Sequence, residues 1–155
     1  MTIKIPENVA KERLRQGKVA FGFGVRFSRS PEIARIASGI GYHWLFIDLE
    51  HNTMSIETAV QVCVAALDAG ITAVVRVPGH ERFHAQRILD GGAMGLWAPH
   101  IDTAEQARDF ADNCLYSPKG SRGASASAAL LNYENLPARE ANAATNEHLL
   151  LIAQL

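Results

Sequence analysis

Four apolar residues in a row, Trp44 to Ile47, are followed at once by Asp48, Glu50 and His51. A short unbroken apolar run of this kind predicts a strand buried on both faces, as in a parallel sheet. Similar runs recur at residues 72–77, 94–98 and 149–153. Residues 19–27 alternate small, aromatic and glycine positions and predict one more strand ahead of these. Gly22 and Gly24 in it predict that something approaches the backbone closely.

Between these runs the pattern is helical. Residues 7–16 predict a short, charged surface helix ended by Gly17. Ser30-Pro31-Glu32 is a helix start: a hydroxyl cap, a proline at the first helical position and an acid at the positive end of the dipole. That helix runs to about Ser38, where Gly39 or Gly41 stops it. Ser55 caps a longer helix with Glu57 in its first turn. Val60, Cys63, Val64 and Leu67 form its predicted buried stripe, and Gly70 closes it. A further helix covers 82–89. Thr103-Ala104-Glu105-Gln106 is a capping box, with Ala107, Phe110 and Ala111 turned inward. Residues 116–123 form a Pro/Gly/Arg loop, and the low-complexity stretch 124–129 predicts a mobile segment. Pro137 opens an alanine-rich helix before the last strand.

Repeated βα units imply an α/β fold with a parallel sheet and right-handed crossovers. No GxGxxG follows the first strand and no phosphate loop is present, which argues against a dinucleotide-binding fold. A closed barrel of eight βα units needs ~250 residues. Only five strands are predicted, and the sequence stops on the fifth without a covering helix. The expectation is a single domain over residues 1–155.

Composition narrows the function classes. The 155 residues are 48% apolar and 20% charged with a formal net charge of −1. That balance is ordinary for a globular domain and offers no basic surface for nucleic acid or an anionic membrane. Cys63 and Cys114 sit among alanines and valines and are expected to be reduced core residues. Residues 1–18 lack the apolar core of a signal peptide, and no run has the length of a membrane span. A cytoplasmic location is expected.

Polar side chains collect at one end of the predicted strands: Asp48, Glu50 and His51, then Arg76, then His100, then Gln154. In βα folds that end is where chemistry gathers. Arg76 sits in Val74-Val75-Arg76-Val77-Pro78, where an arginine is stable only if it meets an anion. The preferred reading is a fork that grips a substrate carboxylate. The alternative is a structural ion pair with Asp48 or Glu50. Asp48 and His51 are spaced so that the carboxylate can hold one ring nitrogen while the other moves a proton. The alternative is a capped surface histidine. His80 and His84, four apart on one predicted helix, have no third ligand and read as a solvated face rather than a metal pair. Asp90 ends a helix before Gly91-Gly92 and is either a turn residue or functional. Lys119 and Arg122 suit an anion contact or a subunit contact.

Taken together, the chain resembles the HpcH/HpaI aldolases, metal-dependent class II pyruvate aldolases of the phosphoenolpyruvate/pyruvate superfamily. The segments that carry the resemblance are Phe46-Ile47-Asp48-Leu49-Glu50-His51, Val74-Val75-Arg76-Val77-Pro78 and Ile88-Leu89-Asp90-Gly91-Gly92-Ala93-Met94-Gly95. Tyr116-Ser117-Pro118-Lys119-Gly120-Ser121-Arg122-Gly123 and Leu150-Leu151-Ile152-Ala153-Gln154 follow in family order. The resemblance implies a (β/α)₈ TIM barrel, of which residues 1–155 are the N-terminal part with about five of eight units, truncated at the C-terminal end, and a homo-oligomer, a hexamer. It implies a divalent metal, Mg²⁺ or Mn²⁺, that holds pyruvate. It implies retro-aldol cleavage of a 4-hydroxy-2-oxo acid to pyruvate and an aldehyde. By the same resemblance His51 is the acid–base residue, Asp48 orients it, and Arg76 binds the pyruvate carboxylate. Gln154 lies beside the metal site, and Asp90 reaches a neighbouring subunit's site. His100 is similar to a histidine of the macrophomate-synthase branch and would bind substrate.

Two departures qualify this picture. The family's metal-binding glutamate and aspartate would both lie beyond Leu155, so no metal ligand is expected among these residues. Ser117 stands where the family commonly has proline. The rival readings are a macrophomate-synthase-like or citrate-lyase-type carbon–carbon lyase, and a non-catalytic piece lacking the metal ligands.

Overall fold

The structure is a computed structural model and describes residues 3–124 and 128–155. Half of the low-complexity stretch 124–129 expected to be mobile thus lies outside the described residues. Five strands form one parallel sheet: β1 (Gly22–Val25), β2 (Trp44–Asp48), β3 (Thr72–Arg76), β4 (Gly95–Ala98) and β5 (Leu150–Ala153). They pair in chain order, each with the next. Helices α1 (Val9–Arg15), α2 (Glu32–Gly39), α3 (Ile56–Asp68), α4 (Arg82–Asp90), α5 (Ala104–Cys114) and α6 (Ala138–His148) precede or separate them.

Alternation along the strands builds two faces. Val25, Leu45, Ile47, Ala73, Val75, Leu96 and Ala98 are buried in the core beneath the helices. Gly22, Gly24, Trp44, Phe46 and Trp97 line an open groove of ≈ 290 Å³ on the opposite, inner face. Gly22 is required there: a Cβ on it would stand 2.3 Å from the Trp44 indole. Gly24 has open space at the same point, so the expected close approach holds for one glycine of the two.

The helices of the sequence reading are present, with four corrections. The first helix is not merely a surface element. Asn8 caps α1, and its amide donates to the Met94 and His148 carbonyls at 3.0 and 2.9 Å. Its side-chain oxygen accepts from the Thr72 hydroxyl, so α1 is pinned beneath the starts of β3, β4 and β5. Second, Ser30 makes no side-chain cap; α2 begins at Glu32 with Pro31 in the cap position. Third, the fully buried stripe of α3 is Ala59, Val62, Cys63 and Ala66. Val60, Val64 and Leu67 are partly buried one step round the helix, because Gly91 and Gly92 bring the end of α4 against them. Fourth, His80 precedes α4 rather than riding on it. Its ring lies against the Pro99 carbonyl and Phe110, while His84 packs beside Phe83. Neither is on a solvated helix face with the other.

Other expectations hold. Ser55 accepts the Thr58 N–H at 3.1 Å, Thr103 and Gln106 form the capping box, and Gly70 takes the left-handed φ of +66° that ends α3. Cys63 and Cys114 are free and buried, and burial pushes both thiols up to about 12. Among the described residues no helix is long and apolar enough to cross a membrane.

Candidate active site

The inner face ends in a row of charge. Register sets Asp48 opposite Arg76, and Arg76 opposite Trp97. Asp48 is 1% exposed and takes four donors. Its Oδ1 accepts the backbone N–H of Glu50 at 3.1 Å, that of His51 at 3.2 Å and Arg76 Nε at 3.0 Å. Its Oδ2 accepts Arg76 Nη2 at 2.8 Å. Burial alone pushes the Asp48 carboxyl up. The Arg76 fork and the two backbone donors outweigh it and hold the group below the ordinary carboxylate value. Those same bonds raise Arg76 against the opposing effect of burial.

Arg76 is gripped from several sides. Its guanidinium lies 5.3 Å from the centroid of the Phe46 ring, a cation–π distance. Nη1 donates to Gln154 Oε1 at 3.5 Å, and Gln154 is held in turn by Trp97 Nε1 at 2.9 Å. Glu50 Oε2 stands 3.0 Å from Nη1 as a charge contact without hydrogen-bond alignment. The ion pair with Asp48 and Glu50, the second choice from sequence, is therefore the arrangement that forms.

Glu50 links the two histidines. Its Oε1 lies 3.5 Å from His51 Nε2 and 2.9 Å from His100 Nε2. His100 reaches it from a left-handed backbone, φ +52°, a conformation that disfavours non-glycine residues by roughly 1–2 kcal/mol. The Asp48–His51 pairing is corrected here. Asp48 holds the His51 backbone N–H, and the carboxylate nearest the ring is Glu50. A strand-to-loop turn that wraps its N–H groups around the Asp48 side chain sends the next ring outward.

The remaining candidates lie away from this cluster. Asp90 pairs with Arg122 at 2.6 Å, and the Arg122 guanidinium sits 4.5 Å from the centroid of the Tyr116 ring. Lys119 pairs with Glu147. Both loop cations thus have partners within the chain. Sequence reasoning missed Arg26, whose Nε stands 4.0 Å from Asp48 Oδ2. The signal was present: Gly22-x-Gly24-x-Arg26 has the same two-residue period as Trp44-x-Phe46-x-Asp48 and Thr72-x-Val74-x-Arg76.

A buried arginine–aspartate fork, flanked by Glu50 and two histidines at the C-terminal ends of parallel strands, narrows the comparison. The family model described as HpcH/HpaI aldolase/citrate lyase matches residues 26–155. The chain belongs to this family. A 4-hydroxy-4-methyl-2-oxoglutarate aldolase of Hapsidospora irregularis is 39% identical over 117 residues, 75% of this chain and 43% of that protein. A 4-hydroxy-2-oxovalerate aldolase of Novosphingobium aromaticivorans is 36% identical over 154 residues, 99% of this chain and 57% of that protein. The crystal structure of an HpcH/HpaI aldolase from Desulfitobacterium hafniense DCB-2 superposes with a TM-score of 0.87 at 28% identity, covering 94% of this chain and 56% of that one. The chain spans about half the length of the curated relatives it matches. Its five βα units correspond to part of the HpcH/HpaI barrel.

Proposed function

We propose that the protein is a lyase that cleaves 4-hydroxy-2-oxo acids to pyruvate and an aldehyde. The observation that carries this is the hydrogen-bond inventory of Arg76. A guanidinium has five N–H groups. Asp48 takes one from Nε and one from Nη2, and Gln154 takes one from Nη1. One N–H remains on each of Nη1 and Nη2, an outer edge on which Glu50 Oε2 stands 3.0 Å from Nη1 as a charge contact without a hydrogen bond. That edge matches a carboxylate in bidentate geometry. Asp48 is then a positioning residue: it orients Arg76 so that the open edge faces the substrate's C1 carboxylate. The names of the Hapsidospora and Novosphingobium relatives, both aldolases of 4-hydroxy-2-oxo acids, support this class.

Cleavage breaks the C3–C4 bond, leaves its electron pair in the enolate of pyruvate and removes the C4 hydroxyl proton. Arg76 beside the C1 carboxylate stabilises the developing negative charge. His51 accepts the hydroxyl proton, with Glu50 beside its ring, and the enolate is reprotonated at C3. Among the described residues no three His, Cys, Asp or Glu side chains are placed to hold a metal ion together; Glu50, His51 and His100 contact one another without forming such a set. The described residues do not by themselves hold the divalent ion that the resemblance implies. The other carbon–carbon lyases considered above would share the Arg76 clamp and differ in the second product.

The test is release of pyruvate from 4-hydroxy-2-oxopentanoate by the full-length protein with Mg²⁺ or Mn²⁺ added. Pyruvate and acetaldehyde in equal amounts are expected. Pyruvate formation no faster than in a protein-free control, from this acid and from 4-hydroxy-2-oxoglutarate alike, overturns the reading.

A further inference from the structure

β1 turns Gly22 and Gly24 to the inner face, and the same alternation brings Arg26 to that face one residue past the strand. Val25 is opposite Ile47, so Arg26 is level with Asp48, which is level with Arg76. The result is a row of guanidinium, carboxylate and guanidinium across three neighbouring chain segments. The two cations are not equivalent. Arg76 holds both Asp48 oxygens, at 3.0 and 2.8 Å. Arg26 Nε stays 4.0 Å from Oδ2, beyond hydrogen-bond reach. Asp48 has no further charge to give: its donors are two backbone N–H groups and the Arg76 fork.

Arg26 is nevertheless held in place. Its Nη2 meets the His51 carbonyl at 3.4 Å. Arg29 Nη1 donates to the Arg26 carbonyl at 3.0 Å, and the Asn52 amide donates to the same oxygen. Arg29 Nη2 donates to Asn52 Oδ1 at 3.1 Å and to Thr53 Oγ1 at 3.2 Å. The loop after β1 is thus laced to the loop that carries His51. The Arg26 side chain is 52% exposed, so its guanidinium is hydrated, charged and accessible beside the proposed proton acceptor.

We propose that Arg26 is a second carboxylate anchor and that the preferred substrate is a 4-hydroxy-2-oxo diacid. This rests on the lyase reading above and names its substrate class. Arg76 takes the carboxylate next to the keto group, and Arg26 takes the carboxylate carried on C4. A five-carbon diacid spans about 5 Å between its terminal carbons. That length suits two guanidinium groups that flank one oxygen, Asp48 Oδ2, from opposite sides. A monoacid leaves Arg26 facing only an aspartate whose charge is already matched. Cleavage of the diacid breaks C3–C4, sends the C4 hydroxyl proton to the base and turns C4 into the aldehyde carbon of a 2-oxo acid. The electron pair stays on C3, which is protonated to give pyruvate.

The experiment compares 4-hydroxy-2-oxoglutarate with 4-hydroxy-2-oxopentanoate, a diacid and a monoacid of equal chain length, in the full-length protein. Wild type should favour the diacid at least tenfold in kcat/KM, mainly through KM. Arg26→Gln should lower that preference at least tenfold, and Arg26→Lys should retain part of it. The preference should stay flat from pH 6 to 9, because a guanidinium does not titrate there. A preference that fades above neutral pH would assign the anchor to a titrating group other than a guanidinium and overturn the proposal. So would a wild type that favours the monoacid, which is readable without any variant. Equal losses on both substrates in Arg26→Gln would show a structural role and also overturn it. Cleavage of the monoacid in any of these cases leaves the lyase reading standing, whereas cleavage of neither substrate removes both.

Discussion

At the scale of single residues, the site turns on Asp48. It satisfies two backbone N–H groups and fixes the Arg76 fork while 1% exposed. Removing its charge leaves Arg76 with Glu50 as its main counter-ion in a partly buried place. Asp48→Asn is expected to lower stability at pH 7 by about 2–3 kcal/mol in urea denaturation. The folded-state pKa of Asp48 is depressed, so its contribution is fully present above the ordinary carboxylate value of about 4 and is lost as pH falls through the lower folded value. Wild type and Asp48→Asn should therefore converge in stability below pH ~4. A constant gap down to pH 3 would refute this account. Arg76→Lys keeps the charge but loses the two-pronged edge. It should cost at least ~1.5 kcal/mol of transition-state stabilisation, roughly tenfold in kcat/KM, measured on pyruvate release. Arg76 was legible in the sequence because a cation inside an apolar run has few explanations. Its partner was not, since spacing along one chain does not say which neighbouring strand end comes opposite. The His51 ring direction was equally hidden: it depends on Asp48 capturing the turn's own N–H groups.

At the scale of elements, short apolar runs and caps gave strand and helix positions to within a few residues. What they could not give was how an amphipathic segment is docked. The seven residues of α1 look like a surface helix because charges dominate them. Asn8, outside the helix proper, decides its place by bonding Met94, His148, Lys11 and Thr72. Asn8→Ala loses a cap and strands buried carbonyls, for an expected destabilisation of about 2–4 kcal/mol in chemical denaturation. A loss under 1 kcal/mol would return α1 to the surface. His148, at the end of α6 beside this junction, has its pKa pushed down to about 4, first by burial and then by Lys11. The unfolded chain binds that proton near pH 6.5 and the folded chain only near 4, so stability falls as pH drops through that window. After allowance for solvent screening the loss is about 1–2 kcal/mol. His148→Gln should flatten the stability profile between pH 6.5 and 4; an unchanged slope there would place the titration elsewhere. Glycine in β1 was legible as a close approach, but only packing distinguishes Gly22, against the Trp44 indole, from Gly24, which faces open space.

At the scale of the whole molecule, the parallel sheet of the described residues has two unpaired edges, because β1 and β5 each pair on one side. Its inner face shows aromatic surface at Trp44, Phe46 and Trp97 along an open groove. Unpaired strand edges and contiguous apolar surface both favour association with another chain or segment. His51 and His100 sit exposed at the rim of that same open face, where water weakens the charge interactions they make, while Arg76 and Glu50 lie deeper beside them. The polypeptide of residues 1–155, made by itself, is therefore expected to self-associate and to bind a dye for exposed apolar surface. It is also expected to release no pyruvate from 4-hydroxy-2-oxopentanoate. Glu50 and His51 offer a divalent ion too few ligands, so Mn²⁺ titrated by calorimetry should show no stoichiometric micromolar site. Sizing chromatography, dye fluorescence, calorimetry and turnover on that one polypeptide check these points together. A monomer that binds Mn²⁺ tightly and turns over would mean that five strands and this rim already make a working site.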